Sequence, residues 1–137
     1  MTDVHSRKQR SYNMSQIKGK DTKPEITVRK WLWNNGYRYR LHRKDLPGKP
    51  DIVFPGKKKV IFVNGCFWHK HDCEYFKWPK SNSDFWYQKI SKNVLRDTKS
   101  YEQLRADGWN ILIVWECEIK KKDLTSIYNK LTDFLDS

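Results

Sequence analysis

Residues 59–73, KVIFVNGCFWHKHDC, run from a short apolar stretch into a loop that holds two cysteines and two histidines. Lys59 to Val63 has the length and composition of a buried strand, and the metal-type residues follow at once. Cys66, His71 and Cys73 have the spacing of zinc ligands on a tight loop. Cys117, the one other cysteine, can close a tetrahedron of three sulfurs and one nitrogen. On spacing alone His69 can take the place of His71 in that set. Phe67 and Trp68 read as an exposed aromatic pair on the same loop.

Two neighbouring segments turn this stretch into a fold. Upstream, Asp51-Ile52-Val53-Phe54 is separated from Lys59 by Pro55-Gly56-Lys57, which predicts an antiparallel hairpin. Downstream, Ser83 can cap a long helix running to about Ala106 and ended by Gly108. Trp109 to Glu116 is then a nearly continuous apolar run that suits a buried strand. A strand, a helix and a second strand normally cross over to give parallel strands. Cys66 and Cys117 each lie just past the C-terminal end of such a strand, so topology alone can bring them together. In the hairpin the start of the first strand, Asp51, lies beside the end of the second, Val63, which carries the acid to the same edge.

The long helix adds a further group. Ile90, Val94, Asp97, Tyr101 and Leu104 recur at intervals of three and four, so a carboxylate stands on an otherwise apolar stripe. A buried carboxylate needs a partner. His69 fits: an aspartate bound to one ring nitrogen fixes the tautomer and leaves the other nitrogen to take a proton.

The remaining elements follow by capping and periodicity. Thr22-Lys23-Pro24-Glu25 has the form of a capping box, and Asn34-Asn35-Gly36 stops the helix it starts, giving a helix over about 23–34. Tyr37 to His42 alternates in strand fashion, and Leu124, Ile127, Tyr128, Leu131 and Leu135 mark a final amphipathic helix. Residues 1–20, with His5, Arg7, Lys8, Arg10, Lys18 and Lys20 among few apolar side chains, read as a basic arm ahead of one domain over residues 21–137. The expected architecture is an α/β sandwich with a mixed sheet.

Charge and composition bound the partners. The 137 residues carry 28 lysines and arginines against 16 aspartates and glutamates, a formal charge of +12 that predicts attraction to a polyanion. Seven tryptophans exclude a disordered basic tail and supply flat faces that stack on bases, so nucleic acid is the expected partner. No apolar run approaches the length of a membrane-spanning helix, and the first twenty residues have no signal-peptide core. The expected setting is the cytoplasm, where metal-bound thiolates are favoured over disulfides.

Pro50-Asp51 before a short hairpin also occurs in the PD-(D/E)XK nuclease core, although many turns contain the pair. With NGCFWH and Trp115-Glu116-Cys117 the pattern becomes specific. Together with Arg10-Ser11-Tyr12-Asn13-Met14, Asp21-Thr22-Lys23-Pro24-Glu25, Pro47-Gly48-Lys49-Pro50-Asp51 and Lys92-Asn93-Val94-Leu95-Arg96-Asp97, these segments resemble the very-short-patch repair (Vsr) endonucleases over nearly the whole chain. The resemblance implies a restriction-endonuclease-like fold and a bacterial, nucleoid-associated nickase. Such an enzyme cuts 5′ of the thymine in T:G mismatches left by deamination of 5-methylcytosine, and works beside a cytosine-5 methyltransferase; one site on an asymmetric lesion fits a monomer.

It further implies that Asp51 and the main-chain carbonyl of Val63 bind catalytic Mg²⁺, and that His69 is the general base supported by Asp97. Glu25 reaches the site from the first helix, and Cys66, His71, Cys73 and Cys117 hold structural zinc. Phe67, Trp68 and Trp86 enter the base stack from the major groove and Met14 from the minor groove, while Arg7, Lys8 and Arg10 clamp DNA. Asn64 also falls on the DNA side. The family pattern has threonine and histidine where this chain has Val63-Asn64, and asparagine is neither acid nor base. The rival readings are a related endonuclease with another DNA target and a non-catalytic zinc module that binds nucleic acid.

Overall fold

The computed structural model describes residues 21–137. The arm over residues 1–20, with Met14, Arg7, Lys8 and Arg10, lies outside the described residues.

The chain folds as helix α1 (Lys23–Asn34), strands β1 (Arg40–Leu41), β2 (Ile52–Phe54) and β3 (Lys59–Asn64), helix α2 (Ser83–Ala106), strand β4 (Asn110–Trp115), the single turn α3 (Glu116–Ile119) and helix α4 (Thr125–Asp136). The four strands form one mixed sheet in the order β1-β2-β3-β4. β2 pairs with β3 antiparallel, and β3 pairs with β4 parallel from Lys59 opposite Asn110 to Asn64 opposite Trp115. The expected mixed α/β sheet flanked by helices is therefore present.

Period-two alternation splits the apolar residues between the two faces of the sheet. Ile52, Phe54, Ile61 and Val114 pack with Val28 and Leu32 of α1 and with Ile127, Leu131 and Leu135 of α4. On the opposite face Val53, Val60 and Phe62 meet Leu104 of α2, with Tyr101, Ile111 and Ile113 against them. Each fully buried aliphatic side chain contributes about 1.5–3 kcal/mol, so the two clusters fix the layers and hence the register of the strand ends. Among the described residues no helix is long and apolar enough to cross a membrane.

Four local expectations change. The alternating run 37–42 forms a strand only at Arg40–Leu41, because its partner β2 ends at Phe54 before the Pro55–Lys57 turn; the Tyr37 and Tyr39 hydroxyls donate to Asp136 Oδ1 and the Arg29 carbonyl. Ser83 is the first residue of α2 rather than its cap. Asn82 holds the cap position with φ 53° and makes no side-chain capping bond. The last strand ends at Trp115, and Glu116 opens α3, where the Trp115 N–H is taken by Glu118 Oε1 at 2.9 Å. The buried face of α2 also falls on Ile90, Asn93 and Leu104, with Val94 only partly covered.

Candidate active site

The C-terminal ends of β3 and β4, side by side in the parallel register, gather most of the chain's unusual chemistry. Asp51, one residue before β2, reaches across the hairpin so that the Val63 N–H donates to its Oδ2 at 2.8 Å. Burial pushes the Asp51 carboxyl up to about 7, this one hydrogen bond opposes the rise, and the Glu25 carboxylate beside it adds to the rise. Among the described residues this acid is held against another acid with a single N–H for support and no cation on it. That is the donor chemistry of a divalent-cation site.

Glu25 comes from the first turn of α1 and is 2% exposed. Thr22 Oγ1 accepts the Glu25 N–H as a cap should, but the reciprocal half of the box goes to Asp21, whose N–H donates to Glu25 Oε1 at 3.2 Å. The other oxygen faces inward, with His42 Nε2 at 2.7 Å and Arg29 Nη1 at 3.1 Å. Capping therefore does not exhaust this side chain.

After β3 the loop folds tightly, with the His71 N–H donating to the Cys66 carbonyl at 2.9 Å. The ligand atoms of Cys66, His71, Cys73 and Cys117 all lie within 4.8 Å of one another. Cys117 points its N–H at Cys66 Sγ, 3.4 Å away, and the Cys66 N–H is taken by Glu116 Oε1 at 3.3 Å. Burial pushes the Cys66 thiol up to about 12, and the neighbouring Cys73 and Cys117 add to the rise. Burial raises the Cys117 thiol as well. Thiolates become favourable here with a cation among them, so the donor set fits a soft metal ion such as zinc. Among the alternatives left by spacing, His71 joins the cysteines and stacks on Trp115 with ring centroids 4.0 Å apart.

His69 takes the other route. Its Nδ1 is hydrogen-bonded to Asp97 Oδ2, which leaves Nε2 unclaimed by that carboxylate. Phe67 and Trp68 are half-buried rather than exposed, because their rings pack edge to face at 5.2 Å and both meet Trp86 of α2, at 5.4 and 5.8 Å. The more exposed rings are Phe85 and Tyr87, at 59% and 61%, on either side of Trp86. The carbonyl of Trp68 accepts from Asn93 Nδ2 at 3.0 Å, which anchors the aromatic loop to α2.

Asn64, at the end of β3, is buried and donates through Nδ2 to the Tyr101 hydroxyl at 3.0 Å. Burial pushes Tyr101 up to about 12. Neither Tyr101, Asn93 nor His42 was among the candidate site residues. For His42 the signal lay in strand register: Leu41 pairs with Ile52, so the next step sets His42 opposite Asp51.

A mixed sheet that collects an acid from its hairpin, and a histidine–aspartate pair and a thiol cluster from its crossover, on a chain of +12 formal charge, has the layout of a nuclease. Comparison with known proteins narrows the class. The family model described as DNA mismatch endonuclease Vsr matches residues 2–75. The type II nicking enzyme V.XorIIP of Xanthomonas oryzae pv. oryzae is 48% identical over 136 residues, covering 99% of this chain and 98% of that protein. The type II nicking enzyme V.NmeAIP of Neisseria meningitidis is 48% identical over 122 residues, covering 89% and 87%. The DNA mismatch endonuclease Vsr of Escherichia coli is 42% identical over 133 residues, covering 97% and 81%. This chain belongs to the Vsr family of DNA mismatch endonucleases.

Proposed function

We propose that this protein nicks duplex DNA at T:G mismatches, 5′ of the thymine, in the repair of deaminated 5-methylcytosine. The observation that carries the reading is that Asp51, held by the Val63 N–H at the end of β3, and Asp97, bonded to His69, both act electrostatically on the Tyr101 hydroxyl, in a member of this family. Asp97 accepts from Nδ1 of His69, which keeps the lone pair on Nε2 free to take a proton from the attacking water. Asp51 and the main-chain carbonyl of Val63 are the residues that would hold Mg²⁺, and a divalent ion there supplies positive charge against the attacked phosphate. Glu25 stands beside Asp51 as the second acid of that edge.

The sulfur and nitrogen donors of Cys66, His71, Cys73 and Cys117 would hold zinc as a structural brace, tying the loop to the end of β4. Phe67, Trp68 and Trp86 enter the base stack from the major groove and Met14 from the minor groove. Opening a base step costs a few kcal/mol, and a mismatch lowers that cost, which favours the lesion over paired DNA. Asn64 supports this end of the sheet by donating its amide N–H to the Tyr101 hydroxyl, and it is neither acid nor base. In this reading residues 1–20 are a DNA-clamping arm, in which Arg7, Lys8 and Arg10 neutralise phosphates, and residues 21–137 are the nuclease domain. The protein works as a monomer on an asymmetric lesion, in the bacterial nucleoid beside a cytosine-5 methyltransferase.

The test is a nicking assay on duplexes that differ at one base pair. A T:G duplex should be cut on the thymine strand only when Mg²⁺ is added, while T:A and C:G controls stay intact. Equal cutting of all three would mean an endonuclease with another target. Binding without any Mg²⁺-dependent cut would mean a nucleic-acid-binding module.

A further inference from the structure

His42 sits just past β1, outside every role assigned so far, yet it touches both acids of the metal edge. Its main-chain N–H donates to the Asp51 carbonyl at 3.0 Å, and its ring Nε2 lies 2.7 Å from Glu25 Oε2. The backbone there has φ 50°, the left-handed region, although the residue is not glycine. Such a conformation is strained for a residue with a Cβ and persists where the surroundings require it. Here the reversal lets one residue continue the ladder to Asp51 while its ring returns to α1.

We propose that His42 is a positioning residue of the active site, clamping the Asp51 main chain and the Glu25 carboxylate together so that Glu25 is held beside Asp51 while the Asp51 carboxylate faces the cation-binding point. The proposal rests on the nuclease reading above and adds a residue to its machinery. Asp21, Glu25 and His42 also lie close enough to be taken for a second metal cluster. Arg29 argues against that: its Nη1 already sits 2.6 Å from Asp21 Oδ1 and 3.1 Å from Glu25 Oε2, so positive charge is supplied from within the chain. The donors around Glu25 therefore fix its orientation and leave Asp51, which has no such cationic donor among the described residues, to the ion. Partners that orient ligating groups in this way typically matter about 10- to 100-fold in metal affinity or activity.

Three variants separate positioning from mere structure. His42→Asn accepts the left-handed backbone but is too short to reach Glu25, His42→Gln reaches it with an amide donor, and Glu25→Gln removes the charged acceptor. Single-turnover nicking of a T:G duplex at saturating Mg²⁺ is measured together with DNA affinity in the absence of Mg²⁺ and thermal melting. His42→Asn should stay folded, with at most a small drop in melting temperature, and bind DNA like the wild type but nick about 10- to 100-fold more slowly, and His42→Gln should recover to within about threefold. Wild-type nicking by His42→Asn would overturn the proposal, as would equal losses in both His42 variants accompanied by a fall in melting temperature.

A second readout does not depend on cutting. In ¹⁵N-edited NMR spectra of the DNA-free protein, the His42 ring should show a slowly exchanging Nε2 proton whose position shifts in Glu25→Gln. A ring proton that exchanges as in free histidine, or one indifferent to Glu25→Gln, overturns the clamp even if the wild type nicks no duplex tested. A wild type that nicks nothing while this signature is present would instead count against the mismatch reading alone.

Discussion

The two ends of β3 both bury charge, and they treat it in opposite ways. At the start, Lys59 is 6% exposed, and its Nζ meets the carbonyls of Phe134, Leu135 and Ser137 and the Ser137 hydroxyl at 2.7–3.2 Å. The last turn of α4 presents carbonyls that no helical N–H can satisfy, and a lysine is their natural complement. At the other end, beside Val63, Asp51 has one N–H and another acid for company among the described residues, and the buried thiol of Cys66 sits beside that of the half-buried Cys117. A buried ion satisfied from its own chain serves the fold. Among the described residues the donors at the other end are left short of positive charge, which is the pattern expected of a cation site.

Removing each group in turn should break that comparison most sharply at the acidic end. Asp51→Ala should leave DNA binding intact and lower the T:G nicking rate at least about 10³-fold, as loss of a catalytic metal ligand does. Full activity in that variant would end the proposed mechanism. Next in size is the thiol cluster. Cys117→Ser should release bound zinc, measured by atomic absorption of the purified protein, and lower folding stability by more than about 3 kcal/mol. Retention of stoichiometric zinc would mean that Cys117 is not a ligand.

Acidity gives a third, smaller contrast. Asp51 is raised to about 7 in the folded protein, against about 3.9 for an aspartate in an unfolded chain. Between those values the folded state holds a proton that the unfolded state has lost. Stability without added Mg²⁺ should therefore fall as pH rises from about 4 to about 7, by on the order of 2–4 kcal/mol. Asp51→Asn should flatten that slope, and Mg²⁺ added at pH 8 should restore stability to the wild type only. Urea titrations across the pH range, with zinc retained, give the difference between the two proteins, and parallel profiles would refute the assignment. At the opposite end, Lys59→Met should cost about 1–3 kcal/mol by leaving α4 carbonyls unpaired, while the folded enzyme nicks at its usual rate.

How far this contrast was legible in the sequence depends on which rule each residue obeys. The meeting of Cys66 with Cys117 followed from strand order and crossover alone, because parallel strands share an end whatever their side chains. Asp97 stood out as a carboxylate on an apolar stripe, and its bond to His69 is what such a position demands. Glu25 was harder to read, since a capping box accounts for a glutamate at that point. Only the fold reveals that its second oxygen turns inward to His42 and Arg29. His42 itself required the register of a two-residue strand, which no periodicity can encode. Asn93 took the buried place beside Val94 because the Trp68 carbonyl satisfies its amide, a partner contributed by a distant loop.

Asn64 offers the smallest and most discriminating test, because it lies at the acidic end yet resembles Lys59 in being satisfied from within. Its Nδ2 donates to the Tyr101 hydroxyl, and both side chains are held between β3 and α2. If the pair only supports the sheet end, Tyr101→Phe should strand one buried amide donor and cost about 1 kcal/mol, visible as a small drop in melting temperature. Nicking of a T:G duplex should then change by less than about threefold, well short of the roughly 10²-fold or more expected for losing an acid or base. A loss of that larger size in a variant that still folds and binds DNA would move the phenol from the frame into the chemistry, and with it the proton role that asparagine at position 64 cannot fill.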